Sequence, residues 1–227
     1  MGLHSDFLII GHRGAAGLEP ENTLRSFARA IELDVDAVEL DVYCIEDRLI
    51  VIHDDTLERT TNGRGPLVRA TFDAVRALDA GKGERIPTLE EVFDLVDGRV
   101  AINVELKGHG TAAPLAEFLV ARDADEVLVS SFDHRELVDF HRIAPAVRKA
   151  PLFGRTSTRM FETARELDAW SINVAAKLAS DAMVDRIIGE GFRCLVYTVN
   201  DPIAAKRLES AGADGIFTDF PDRMRAL

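Results

Sequence analysis

Eight short apolar runs recur along the chain: FLII at 7–10, AVELDV at 37–42, VAINVEL at 100–106, EVLVSSF at 126–132, VRKAPLF at 147–153, WSINV at 170–174, FRCLVYTV at 192–199 and GIFTD at 215–219. They are too short for packed helices and rich in β-branched residues, and their nearly continuous apolar character is that of strands buried on both faces. Helix-like or turn-rich intervals separate them. Alternation of this kind predicts a parallel sheet with crossover helices.

The intervals carry their own punctuation. Leu24, Phe27, Ala28 and Ile31 fall at i, i+3, i+4 and i+7, one buried stripe. Thr88 with Glu91 predicts a capping box opening LEEVFDLV, and Asp133 with Glu136 repeats the pattern. Asp201 before Pro202 reads as an N-cap followed by proline at the first helical position, and Gly212 stands where a C′ residue ends that helix. Eight strands and seven such intervals predict an α/β fold, a (β/α)₈ TIM barrel whose last helix is short or missing. A doubly wound open sheet is the competing arrangement, and periodicity leaves it open.

Two features interrupt the pattern. After AVELDVYC an IEDR turn leads into LIVIHDD, which reads as a hairpin arm and not as a ninth βα unit. Residues 54–87 then form a small glycine-bounded insertion after the second strand, of a kind that usually covers a site. No composition break or internal repeat marks a second domain, so residues 1–227 read as a single barrel domain.

Charge narrows the partners. With 27 basic against 39 acidic residues the formal charge is −12, which repels nucleic acid and anionic membranes. Cys44 and Cys194 are distant and lack C-x-x-C spacing, which fits a reduced, cytoplasmic setting without disulfide or zinc. The opening MGLHSDFLIIG has no basic segment and only a short apolar run, and Asp6 breaks a myristoylation pattern, so no stable membrane anchoring is expected. The sequence leaves the oligomeric state open.

In a barrel, sites are built where strands end. His12 and Arg13 follow the first strand, where the flanking glycines read as letting backbone and substrate come close. Glu39 and Asp41, two apart in the second, face the same side, as do Glu105 and Lys107 in NVELK. Charges embedded in apolar strands cost several kcal/mol each unless they are paired or bound to metal. Three carboxylates from neighbouring strands form a hard oxygen site suited to one divalent cation, Mg²⁺ or Ca²⁺. His53 ends LIVIH; a hairpin with an odd loop returns it to the face of Glu39, and an even loop turns it away. Two histidines beside a cation, with Arg13 and Lys107 positive, read as an acid/base pair around a phosphoryl group. Asn22 reads either as the N-cap of the first helix or as a neighbour of the site. Phe132 and Tyr197 are the better candidates for lining a groove, and Trp170 a weaker one. His4, His109, His134 and His141 read as surface or capping residues.

The ordered series GHRG, PENT, ELDV, VIHDDTLERTTNGRG, IPTLEE, NVELK, VYTVN and ADGIFTDFP, spanning residues 9–221, resembles the glycerophosphodiester phosphodiesterase family. The resemblance implies a catalytic (β/α)₈ barrel that hydrolyses glycerophosphodiesters to glycerol 3-phosphate and an alcohol with a divalent metal. Carried over, it implies His12 and His53 as catalytic, Glu39, Asp41 and Glu105 as metal ligands, and Arg13 and Lys107 as phosphate contacts. Tyr197 stands where many members have tryptophan, and Cys44 and Ile45 where a polar pair is common. Rival readings are a lysophospholipase D-like activity, a phosphodiester-binding barrel without catalysis, and a Schiff-base barrel using Lys107.

Overall fold

The computed structural model describes residues 3–224, so residues 1–2 and 225–227 of the expected domain lie outside the described residues. The first half runs β1 (Leu8–Gly11), α1 (Leu24–Glu32), β2 (Ala37–Ile45), β3 (Arg48–Val51), α2 (Phe72–Arg76), α3 (Leu89–Val96), β4 (Ala101–Leu106) and α4 (Ala112–Arg122). The second runs β5 (Val127–Ser131), α5 (His134–Ile143), β6 (Arg148–Phe153), α6 (Met160–Glu166), β7 (Ser171–Ala175), α7 (Asp181–Gly189), β8 (Arg193–Tyr197), α8 (Pro202–Ser210) and β9 (Gly215–Thr218). In place of a last helix there is a 3₁₀ turn at Pro221–Arg223.

Strand pairing decides between the two arrangements left by the sequence. β1 pairs in parallel with both β2 and β9, so the sheet closes into an eight-stranded parallel barrel and the open sheet is excluded. β3 adds antiparallel to β2 as the expected arm, through a two-residue turn in which Glu46 and Asp47 both have positive φ, 49° and 60°. This pairing carries β2 three residues beyond Val42.

Register then sets the mouth. Glu39 lies beside Asn103, Asp41 beside Glu105, and Glu105 beside Ser130. The same inward parity one or two steps lower gives Leu8, Ile10, Ala37, Ala101, Leu128, Ala150, Leu195 and Phe217, which pack together and fill the barrel interior. Residues of opposite parity, including Val38, Leu40, Val104 and Val129, meet the helix layer.

The helix ends follow the sequence with one exception. Thr88 and Glu91 close the capping box, at 2.9 and 3.2 Å. Asp201 accepts from Ile203 N at 3.1 Å, and Gly212 follows α8 with φ 90°. Asp133 caps α5 by accepting from Arg135 N, but Glu136 does not complete a box there. Its carboxylate instead accepts from the amides of Gly110, Thr111 and Ala112 at 2.7, 3.1 and 3.1 Å. The start of α4 has no side-chain cap of its own, and a neighbouring helix supplies the anion its free N–H groups require.

Within residues 54–87, Leu57, Leu67, Val75 and Ile86 bury against Ile45, Ile50 and Ile52 of the arm, a satellite core that ties the insertion to the barrel.

Candidate active site

Period-two alternation turns Glu39 and Asp41 inward, and register brings Glu105 alongside, so oxygens of the three carboxylates converge within 4.8 Å of one another. All three residues are buried. Desolvation, and then repulsion from the neighbouring carboxylates, drives the pKa of Glu39 well above the usual range and raises that of Glu105. A cluster that resists its own charge while presenting only hard oxygens is compatible with a divalent cation.

Two cations of the chain partly offset this charge. Arg13, in the left-handed region at φ 52°, donates its backbone N–H to Glu39 at 2.9 Å. Its guanidinium lies 3.4 Å from Asp41 and donates to Glu21 at 2.7 Å. Lys107 donates to Glu105 at 2.9 Å and stands 3.7 Å from Asp41. Burial disfavours the Lys107 charge, but Glu105 and Asp41 outweigh it and raise its pKa. A lysine held protonated in this way is a poor Schiff-base nucleophile, which argues against that rival.

The histidines are held alike. His12 Nδ1 lies 2.7 Å from Asp219 Oδ1, and His53 Nδ1 lies 2.5 Å from Asp54 Oδ1. With a carboxylate facing each Nδ1, each Nε2 is the ring nitrogen left to the site. That of His12 lies 4.0 Å from Glu39, and that of His53 lies 3.2 Å from the Lys107 amine. Burial lowers the His53 pKa, which favours the neutral ring that can accept from Lys107. Asn200 steadies Asp219 with a 2.7 Å hydrogen bond.

Three expectations become specific at this point. The hairpin loop is even, yet His53 faces the site: β3 ends at Val51, and after the Ile52 N to Asp41 O bond the chain leaves the ladder, so strand parity does not reach residue 53. The glycines of GHRG let backbone come close to backbone. A Cβ on Gly14, at φ 81°, would meet Ser26 at 2.5 Å, and one on Gly11 would meet Gly14 O at 2.6 Å. Thr23, not Asn22, caps α1. Asn22 is buried behind the carboxylates, with Nδ2 donating to Asp41 at 2.9 Å and Oδ1 facing the Asp41 amide at 3.4 Å.

Opposite the charges, Asn103, Ser130, Phe132, Leu152, Tyr197 and Phe217 complete a cavity of about 190 Å³ with His12, Arg13, Glu39, His53 and Glu105. Phe132 and Tyr197 meet edge to face at 5.6 Å, and the Lys107 amine lies 5.8 Å from the Phe132 ring. Asn103 Oδ1 and Tyr197 OH are buried without a protein partner, polar groups open to a ligand or water. Trp170 precedes β7, at the other end of the barrel, under the Arg193 guanidinium at 4.6 Å. His4 and His109 are exposed, and His134 faces the Leu152 carbonyl at 3.1 Å. The sequence reading missed Asp54, Asp219, Glu21 and Arg59, although Asp54 adjoins His53 and Asp219 sits in TDFP; charged residues in loops carry no periodicity to mark them.

A buried carboxylate triad beside two carboxylate-anchored histidines, at the strand-end face of a closed barrel, has the parts that a metal-assisted phosphate-ester hydrolase requires. Residues 12–223 match the model of the glycerophosphoryl diester phosphodiesterase family, and the chain belongs to that family. It is 35% identical over 232 residues to the glycerophosphodiester phosphodiesterase of Caldanaerobacter subterraneus, covering 96% of each chain. The match to the glycerophosphodiester phosphodiesterase of Bacillus altitudinis is also 35%, over 95% of each. Among solved structures, a phosphodiesterase of Oleispira antarctica in complex with its product sn-glycerol-3-phosphate superposes with TM-score 0.91 at 29% identity, covering 96% of this chain and 95% of that one. Among the described residues no helix is long and apolar enough to cross a membrane.

Proposed function

We propose that this site hydrolyses glycerophosphodiesters to glycerol 3-phosphate and an alcohol, with one divalent cation, Mg²⁺ or Ca²⁺, held by Glu39, Asp41 and Glu105. The observation that carries this reading is the matched pair of histidines, each with Nδ1 on an aspartate and Nε2 beside the carboxylate–cation cluster. The product in the Oleispira structure supports the substrate class.

When bound, the cation supplies charge neutralisation at the phosphoryl oxygens. Arg13 and Lys107 add fixed positive charge on the same side, and their ion pairs keep both aimed before substrate arrives. One histidine takes the proton of the nucleophile through Nε2 and the other returns one to the departing alcohol oxygen. Asp54 and Asp219 hold the Nδ1–H tautomer and stabilise each ring when it is charged. The nucleophile is water, or the 2-hydroxyl of the substrate by way of a cyclic phosphate that a second step opens. Asn22 orients Asp41, while Phe132 and Tyr197 wall the mouth on the side away from the charges.

The test is release of glycerol 3-phosphate from glycerophosphocholine by protein stripped with EDTA and then given Mg²⁺, Ca²⁺ or Mn²⁺, with lysophosphatidylcholine assayed in parallel. Hydrolysis restored by metal on the soluble diester is the expected result. Preference for the lysolipid would move the assignment to the lysophospholipase D-like reading, and a folded protein that binds the diester without turnover would move it to a binding barrel.

A further inference from the structure

Arg59, in the insertion, does not touch the carboxylate triad, yet both sides of the proposed chemistry hang on it. Two of its N–H groups fork onto Glu21, NH1 to Oε2 at 2.7 Å and NH2 to Oε1 at 2.8 Å. Its other edge grips Asp54, Nε to Oδ2 at 2.5 Å and NH2 to Oδ1 at 3.0 Å. Glu21 in turn accepts from Arg13 at 2.7 Å, and Asp54 holds His53 at 2.5 Å. The path from the proposed phosphate contact to one of the two histidines is therefore continuous: Arg13, Glu21, Arg59, Asp54, His53.

The backbone under Arg59 is built to aim it. Leu57, two residues earlier, is buried in the satellite core, and the Leu57 carbonyl receives both the amide and the hydroxyl of Thr61, at 3.2 and 2.6 Å. The turn that carries Arg59 is thus pinned on both sides of it. The side chain itself is 46% exposed, so as a surface ion pair it contributes little to global stability. Four directed hydrogen bonds on one planar group are a different matter, since they fix orientation. A lysine cannot reproduce them, because its point charge engages one carboxylate edge at a time.

We propose that Arg59 is a positioning residue: by clamping Glu21 and Asp54 together it sets Arg13 and His53 in one mutual geometry, so the insertion braces the active site as well as flanking it. This rests on the proposed phosphodiesterase reading. Without the clamp, two carboxylates that now share one guanidinium repel each other, and Arg13 and the His53 ring each lose the partner's partner that fixed them. Misplacement on the order of 1 Å at such groups costs about 10²-fold in rate.

The experiment uses the full chain loaded with Mg²⁺ or Ca²⁺ and follows glycerol 3-phosphate release from glycerophosphocholine for wild type, Arg59→Lys, Arg59→Ala, Asp54→Asn and Arg59→Lys/Asp54→Asn, with melting temperatures. Expected are a fall in kcat/KM of about 10²-fold in Arg59→Lys with kcat falling as well as KM rising, partial rescue of Arg59→Ala by guanidinium ion, and a double variant no slower than the worse single one. A folded Arg59→Lys protein within twofold of wild type in kcat and KM would overturn the proposal. Effects of Arg59→Lys and Asp54→Asn that simply multiply would do so too. If an Arg59 variant melts below the assay temperature, guanidinium decides: rate regained along with melting temperature marks a structural part only and overturns the proposal, and rate regained by folded protein supports it. Wild-type protein inactive on every glycerophosphodiester would instead sink the function on which the proposal rests.

Discussion

The two sides of the barrel mouth are built from the same strand geometry and do opposite things. On β1, β2 and β4 the strand ends hold His12, Glu39, Asp41 and Glu105, tied to Arg13 and Lys107. On β5, β6, β8 and β9 the inward residues that line the cavity are Ser130, Leu152, Tyr197 and Phe217, with Phe132 at the rim. Register makes the boundary sharp: Glu105 lies directly beside Ser130. Charge is concentrated on adjacent strands, where one cation can reach all three carboxylates. The apolar side offers surface to the part of a ligand remote from the charges. The contrast implies that damage to the charged side appears in kcat, and damage to the apolar side in KM.

The largest test of that division is removal of a proposed proton carrier. His12→Ala or His53→Ala should lower kcat by about 10²- to 10⁴-fold with KM within a few-fold, since a positioned acid or base acts only on the way to the transition state. Steady-state kinetics with each metal decides it. A variant whose loss lies wholly in KM would put that histidine among the binding groups and blur the boundary.

The next test is thermodynamic. Burial and mutual repulsion raise the Glu39 and Glu105 pKa values. In metal-free protein these groups therefore hold protons that the unfolded chain gives up at lower pH. For a carboxylate with a raised folded-state pKa, stability is lost as pH climbs from the ordinary carboxylate range toward the folded-state value. Metal reverses the sign, because it binds the deprotonated form and adds about 2.7 kcal/mol at 100 times its Kd. Melting temperatures with EDTA and with Mg²⁺ or Ca²⁺ should differ more at pH 8 than at pH 5. Glu105→Gln should raise the metal-free melting temperature and shrink the difference. An equal increment at both pH values would show that the triad is not where the metal binds.

The division was partly legible in the sequence. Carboxylates inside apolar strands are conspicuous, since their cost demands a partner, and period two fixes which way Glu39, Asp41 and Glu105 point. Barrel closure was not legible from periodicity, because an open sheet shows the same alternation; the β1–β2 pairing that decides it is non-local. His53 shows the limit of strand parity, which holds only while the ladder lasts and β3 stops at Val51. Asp219, Glu21 and Arg59 meet their partners through side-chain geometry across loops distant in sequence, for which no spacing rule exists. Glu136 is instructive in the same way: its position beside Asp133 matched a local cap, but the amides it satisfies belong to α4.

The smallest expected effect falls on the apolar side. Phe132 is 48% exposed, so little folding energy depends on it, and its ring stands between Tyr197 at 5.6 Å and the Lys107 amine at 5.8 Å. Phe132→Ala removes apolar surface from the cavity wall, worth about 1 kcal/mol to a ligand that covers it. Because the ring touches none of the groups that move protons, that loss should weaken ground state and transition state alike. KM should rise about fivefold with kcat within twofold, and the melting temperature should hardly move. A matching fall in kcat would mean that the ring holds Lys107 in place, and the apolar wall would then belong to the charged side after all.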